Sequence, residues 1–394
     1  MKKNNPEWLG PDKWLQLSNN ADETRVKAAL STVSPGIKEF AALVSPAAAN
    51  LVEQLAQRAQ VLTRKHFGRT ISLYVPLYLS NFCSGGCVYC GFSSDRRQPR
   101  RKLGTEELKA EISALKRKGF EDVLLLTGER TPAADFNYLV KSVKTAAEVF
   151  HNVTVEAFAM TSEEYEKLAG AGCTGITIYQ ETYDRKLYSK LHRWGEKRNY
   201  DFRLEAPARA LQAGMRNVGI GVLLGLHDPR SDAICLFQHV VQLRKKFWKA
   251  GVLVSFPRIC AQYGDFKPGY EVDDRLLAQF IFAFRICFPD MPLVLSTRER
   301  AEFRDGIAGI GVSRMSAASR TTVGGYYHEA RLRKDATPGH AGLRKEVTAR
   351  SAGNLEKGQF DVNDTRDAKT FCSAMRRRGL EPVFKNWESV FRGR

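Results

Sequence analysis

From residue 71 onward the chain repeats one unit: a short β-branched or apolar run, a polar loop, then a helical stretch with one apolar face. Candidate strands fall at 71–76, 123–126, 153–157, 175–179, 218–224, 252–256, 292–295 and 311–315. Strands separated by helices are joined by crossovers, so neighbours run parallel and need cover on their outer face. Eight such units close into a barrel, and the predicted fold class is α/β, a (βα)8 TIM-type barrel. The intervening helices are legible by their ends. Thr105 opens one with Glu106 and Glu107 in its electropositive first turn, Leu108, Ile112 and Leu115 form its inner face, and Gly119 ends it. Others are expected at 135–150, 205–213, 231–247, 273–287 and 299–308.

The flanks read differently. Residues 1–70 look like an N-terminal helical extension, with Ser45-Pro46 starting a helix whose Leu51, Leu55, Ala59 and Leu62 share one face. The barrel then occupies 71–327. Residues 328–357 are charged, hold scattered Gly and Pro, and suit a polar insertion or surface loop. A strand-helix tail at 358–394 is expected to pack on the barrel, with a strand at 359–362, a helix at 367–378 stopped by Gly379, and Phe384 and Trp387 as anchors.

Barrels of this kind carry their chemistry on loops at the C-terminal ends of strands. The loop after the first strand holds Cys83, Cys87 and Cys90 in a Cys-x3-Cys-x2-Cys arrangement. Three thiolates so spaced each serve one iron of a 4Fe-4S cubane and leave the fourth iron open, whereas a cluster that only carries electrons takes four cysteines. An open iron suits S-adenosyl-L-methionine, whose amino and carboxylate groups chelate it. Reductive cleavage then gives a 5′-deoxyadenosyl radical, chemistry that belongs to the cofactor. Zinc and disulfides are the competing readings; zinc sites pair Cys-x2-Cys units with further Cys or His, and none follows Cys90 at matching spacing. Other strand ends carry polar clusters as well: Thr127-Gly128-Glu129, Gln180-Glu181-Thr182, Ser296-Thr297-Arg298 and Ser316 to Ser319. Several strand ends converging on one face is a stronger signal than any single motif.

Composition bounds the alternatives. The 394 residues are 43% hydrophobic, enough for one large barrel. Eight cysteines without a secretory leader predict a reducing, cytoplasmic setting, and no apolar run reaches membrane-spanning length. Cys173, Cys235, Cys260, Cys287 and Cys372 lie far apart and read as buried small hydrophobes. The net charge of +18 permits phosphate contacts. It is spread along the chain without an aromatic-interleaved RNA-binding signature, so nucleic acid is disfavoured and a basic surface for an acidic partner is the reading.

The strings YLSNFCSGGCVYCGFS, LLLTGE, IYQETY, FRLEAP, GIGVLLGL, VSFPR, LSTRE and GGYY, in this order from about Ser45 to the end, resemble the tyrosine lyase (2-iminoacetate synthase) family of bacterial thiamine biosynthesis. The resemblance implies a radical S-adenosylmethionine barrel that cleaves the Cα–Cβ bond of L-tyrosine to dehydroglycine (2-iminoacetate), destined for the thiazole ring, and p-cresol. It implies cluster ligation by Cys83, Cys87 and Cys90, adenine pairing with the backbone at Gly91 and Phe92, and binding of the methionine ammonium at Thr127, Gly128 and Glu129. Glu181 and Arg203 take the ribose and the methionine carboxylate. For the substrate carboxylate Arg298 is the candidate, with Ser316 and Ser319 as hydrogen-bonding or proton-relaying hydroxyls. A thiazole synthase and a flavodoxin or ferredoxin-type reductant are the implied partners. Ala317 and Ala318 depart from the family pattern, and 328–357 is longer than the thiamine enzyme needs. The related lyase of iron-iron hydrogenase maturation carries a second cysteine cluster in a C-terminal extension. Only Cys372 lies in this tail, which argues against that maturase. Two alternatives stay open, the same barrel acting on L-tryptophan and, from another class, an iron-sulfur RNA-binding protein.

Overall fold

The computed structural model describes residues 5–260, 266–327 and 358–385. Eight parallel strands form the barrel: β1 Thr70–Tyr78, β2 Asp122–Leu126, β3 Asn152–Glu156, β4 Gly175–Thr177, β5 Asn217–Gly221, β6 Gly251–Ser255, β7 Leu293–Leu295 and β8 Arg314–Ser316. Each pairs with the next, and closure comes at β1, where Ser72 registers with Arg314 of β8 and Val75 with Val123 of β2. The predicted (βα)8 architecture is therefore the observed one. A ninth strand, β9 Glu381–Val383, adds parallel to the base of β1 through Thr70↔Glu381 and Ser72↔Val383. It fills the edge beneath the stretch of β1 that β2 takes.

The outer layer follows from apolar stripes on capped helices. Asp135, Asp228, Asp273 and Asp367 each accept from a backbone N–H in the first turn of the helix they open. Thr105 is inside its helix rather than at the cap: Gly104 caps, and Glu107 reaches back to the Gly104 N–H at 2.8 Å. Three short helices escaped the sequence reading, Ser162–Gly170, Arg185–Leu191 and Tyr200–Leu204. The first was findable, since Thr161 and Glu164 form a reciprocal capping box.

In the extension, Ser45 Oγ accepts from Ala48 N at 3.2 Å and a 3-10 turn, Ala47–Leu51, leads into the helix Val52–Phe67. That helix packs on Asp274–Cys287. Phe40 stacks on Phe237 and meets Phe284 edge-on, three rings whose burial stabilises by roughly 1.5–3 kcal/mol each.

The tail corrects the sequence reading. Residues 359–362 form no strand; they run irregularly over the barrel mouth, and the tail's strand is β9. The helix is Ala368–Arg377, and Phe384 meets Phe120 at 5.2 Å. Trp387 and the whole segment 328–357 lie outside the described residues. Cys173, Cys235, Cys287 and Cys372 are buried as expected, but Cys260 is half-buried at the mouth after β6. Among the described residues no helix is long and apolar enough to cross a membrane.

Candidate active site

The cysteine loop leaves the end of β1 and is folded around one side chain. Arg100 donates to the carbonyls of Asn81 (2.6 Å), Phe92 (2.9 Å), Ser93 (2.6 Å) and Arg96 (3.2 Å), closing the loop from within. Part of the basic run is thus structural. Trp194 lies on the loop so closely that a Cβ at Gly86 would sit 2.4 Å from its ring. The Gly85 N–H donates to Cys83 Sγ (3.3 Å) and the Phe92 N–H to Cys90 Sγ (3.4 Å), the backbone donors that hold negative sulfur in cluster sites. Burial pushes the Cys83 thiol up to about 11, with Cys90 and Glu129 adding to it, and raises Cys87 further. Uncompensated, these thiols stay protonated; ligated to iron they ionise. Among the described residues no three side chains converge on a single metal ion. A loop carrying three mutually interacting thiols fits a cubane, in which each thiolate has its own iron.

Around this loop stands a ring of charge. Gly128 touches it directly, since a Cβ there would lie 2.5 Å from Phe82 O and 2.7 Å from Cys83 Cβ. Among the described residues Glu181, at φ 70°, is one of two non-glycine residues with positive φ, a strained backbone of the kind stored at working sites. Asp232 holds its turn, accepting from Tyr183 N (2.8 Å) and Thr182 Oγ1 (3.1 Å). Arg203 Nε donates to Tyr179 O (2.7 Å), and its guanidinium stands 3.5 Å from Glu129 and 3.7 Å from Glu181. Burial works against the charge of Arg203, but Tyr188, Glu129 and Glu181 outweigh it and its pKa rises. Lys197 Nζ binds Glu181 at 2.6 Å. The sequence reading missed Lys197, which lies in a short polar stretch with no periodic signal. Thr127 Oγ1 and Gln180 Nε2 are buried without a partner among the described residues, hydrogen-bonding capacity left for a ligand. The five residues assigned to the methionine and ribose moieties therefore do meet at the cysteine loop.

Gly91 and Phe92 do not offer free backbone. The Gly91 N–H donates to Gln359 O (3.3 Å), Gly91 O accepts from Gln98 (2.6 Å), and Phe92 O is taken by Arg100. The tail segment 358–364 makes this closure: Gln359 Oε1 accepts from Tyr78 (2.8 Å), Phe360 O from Thr321 (3.0 Å), and Thr297 O from the N–H of Asn363 (3.0 Å). Adenine pairing there requires this segment to release the Gly91 N–H, and Gln98 and Arg100 to release the two carbonyls.

Inside the mouth, two adjoining chambers share a wall. The cluster-side chamber is lined by Cys90, Glu181, Lys197 and Gln359, the inner one by Tyr74, Tyr78, Leu124, Leu126, Ser316 and Ser319. Glu156, Tyr179, Pro257, Arg298 and Phe360 border both. Arg298 lies flat on the Phe360 ring at 3.4 Å and has no carboxylate partner among the described residues. The two serines separate. Ser316 Oγ accepts from Thr297 N (3.1 Å) and Ser316 O from Arg304, so its polar atoms serve the fold; Ser319 Oγ is buried with no partner among the described residues. Ala318 adopts φ 53°, which turns the chain between them. Glu156 escaped the sequence reading although it ends β3, where the strand-end rule would have found it.

Comparison with known proteins gives concordant findings. The Radical SAM superfamily matches residues 77–236, and the Biotin and Thiamin Synthesis associated domain matches residues 255–381. The chain is 36% identical over 387 residues to the 2-iminoacetate synthase of Salmonella typhimurium, covering 96% of both chains, and equally so to that of Escherichia coli. Among solved structures, HydG, a maturase of the FeFe-hydrogenase, superposes with a TM-score of 0.86 at 27% identity, covering 98% of this chain and 82% of that one. Methylornithine synthase (PylB), at 21% identity and a TM-score of 0.67, shares the fold.

Proposed function

Since the chain belongs to the 2-iminoacetate synthase family, we propose that the two chambers at its barrel mouth bind L-tyrosine beside the cofactor and cleave its Cα–Cβ bond. The protein is a radical S-adenosylmethionine lyase, giving 2-iminoacetate for the thiazole of thiamine and p-cresol. Cys83, Cys87 and Cys90 would hold the 4Fe-4S cluster. Thr127, Gly128, Glu129, Glu181 and Arg203 would hold S-adenosylmethionine, whose zwitterionic end exchanges its ammonium and carboxylate with the Glu129–Arg203 pair. When bound, cluster and S-adenosylmethionine would supply a 5′-deoxyadenosyl radical, the species able to take a hydrogen atom from the substrate amine.

The remaining work falls to side chains. The unpaired Arg298 guanidinium on the shared chamber wall is the observation that carries the reading: it offers a fork to the tyrosine carboxylate. Phe360 holds that fork flat, Ser319 supplies a hydroxyl, and the aromatic ring of the substrate enters the chamber of Tyr74, Tyr78, Leu124 and Leu126. Orientation by these groups selects the N–H over ring and Cβ hydrogens. The segment 358–364 excludes water.

The domain division at residues 70, 327 and 357, a cytoplasmic location, hand-over of 2-iminoacetate to a thiazole synthase, and a flavodoxin or ferredoxin-type reductant belong to the same proposal. Arg96, Arg97 and Arg193 beside the cluster loop suit an acidic electron donor. The test is anaerobic reconstitution followed by reductant, S-adenosylmethionine and L-tyrosine, with chromatography for 5′-deoxyadenosine, p-cresol and glyoxylate. All three should appear, and Arg298→Ala should lose them while keeping its cluster. 5′-Deoxyadenosine without p-cresol would refute tyrosine as substrate and make tryptophan next.

A further inference from the structure

Glu156 ends β3 inside the barrel and stands outside the cofactor ring. Among the described residues its carboxylate has neither a hydrogen bond nor an ion pair; four charged groups face it, Glu181, Arg298, Lys197 and Arg203. The phenols of Tyr74, Tyr78 and Tyr179 complete its surroundings. Glu181, Lys197 and Arg203 are engaged with one another. Arg298 is not. One anion and one cation therefore border the same two chambers, and among the described residues no ion pair joins them. Opposite charges left apart in a low-dielectric space are costly unless something bridges them.

The geometry also says which part of a substrate does so. Both groups sit on the wall shared by the cluster-side and inner chambers, whereas the inner chamber beyond adds Tyr74, Tyr78, Leu124 and Leu126, with uncharged hydroxyls such as Ser316 and Ser319. An α-amino acid fits with its charged end at the boundary and its side chain inward. The pattern repeats the Glu129–Arg203 pair, which would face the ammonium and carboxylate of the methionine moiety, and Glu156 and Arg298 form a second, wider Glu and Arg set.

We propose that Glu156 binds the α-ammonium group of the substrate and accepts one of its protons, while Arg298 holds the carboxylate. In this transfer an N–H bond breaks, an O–H bond forms on the Glu156 carboxylate, and the electron pair stays on nitrogen. The product is a free amine, the form whose N–H the reaction breaks. Burial, with Glu181 adding to it, raises the Glu156 carboxyl to about 7, against Arg298, Lys197 and Arg203, and a group poised near neutrality moves a proton in either direction. The assignment rests on the tyrosine-lyase reading.

The test is calorimetric titration of reconstituted enzyme with bound S-adenosylmethionine and no reductant. The ligands are L-tyrosine, L-phenylalanine and 3-(4-hydroxyphenyl)propionate, which is tyrosine without its amine. Glu156→Gln should weaken tyrosine and phenylalanine at least about tenfold each and leave the propionate unchanged. Glu156→Asp should restore part of the preference for the amine, and both variants should keep the wild-type cluster spectrum. Equal weakening of the propionate would mean that Glu156 only shapes the cavity. Weakening of tyrosine but not phenylalanine would mean that it reads the phenol, and no weakening at all would mean that it touches neither; each overturns the assignment. If the wild type binds none of the three, the tyrosine-lyase reading fails first and takes the assignment with it.

Discussion

Replacing Asp364 by Asn probes how the barrel mouth is held shut. Asp364 is paired with Arg304, which is 1% exposed and also donates to Ser316 O. Arg366 clasps the same carboxylate through Nε (2.8 Å) and Nη2 (2.7 Å) and binds Asp305 with both terminal nitrogens. Removing one partner from a buried ion pair costs about 3–5 kcal/mol. Here Arg304 keeps the Ser316 carbonyl and its place over the Phe371 ring at 4.7 Å, and Asn keeps one acceptor oxygen. The expected loss is therefore about 2–4 kcal/mol, read as a fall in the urea midpoint at unchanged slope. The sign with pH is fixed. Burial opposes the charge, but Arg366 and Arg304 hold the Asp364 carboxyl below its ordinary value of 3.8, so its stabilisation is full above 3.8 and fades as pH falls through the depressed value. The deficit of the variant should shrink in the same window. Because Asn363 and Asp364 donate to Thr297 O, hydrogen exchange at Gln359, Asn363 and Asp364 should quicken and KM for tyrosine should rise. A variant with wild-type stability at neutral pH, or with undiminished protection of these amides, would refute the reasoning.

Three further outcomes are expected. Arg298→Ala should raise Kd for tyrosine about 30-fold or more, the low end for losing one partner of a buried charge pair, with an unchanged cluster spectrum; a shift below threefold would remove Arg298 from substrate binding. Gly128→Ala forces a methyl against Phe82 O and Cys83 Cβ, an overpacking cost of about 1–3 kcal/mol, and should lower the iron retained per chain on gel filtration; full retention would show that the loop gives way freely. Burial raises Asp232 from 3.8 to about 7 despite the bonds from Tyr183 and Thr182. The stability it favours is whole below 3.8 and lost as pH rises through about 7, so Asp232→Asn should flatten the decline in Tm from pH 5 to pH 8, and an unaltered slope would count against this.

The barrel was legible because its strands are apolar runs bounded by glycine and charge, and the period of the helices between them is long enough to register. The site was legible in proportion to local pattern. Three cysteines in eight residues announce themselves; Arg298 was found because Ser-Thr-Arg ends a strand. Glu156 was hidden inside a five-residue run that reads as strand throughout. Lys197 matters through what it touches, Glu181, which no spacing reveals. The segment 359–362 alternates polar and apolar residues as an edge strand does, but its bonds go to side chains and loop carbonyls rather than to a ladder. β9 was passed over because three residues with a central proline give no strand signal, and among the described residues the proline has β1 as its one neighbouring strand.

The closure between Cys90 and Gln359 spans 269 residues of sequence, and β9 reaches the base of β1 from still further on. A ribosome adding about 5–20 residues per second needs roughly 13–54 s to cover that interval. The nascent chain thus presents its three thiols well before the segment that closes on Cys90 has been made. Iron-sulfur delivery has this interval to reach an uncovered loop, and a chain released without its cluster must reopen the contact at Gln359 to be repaired.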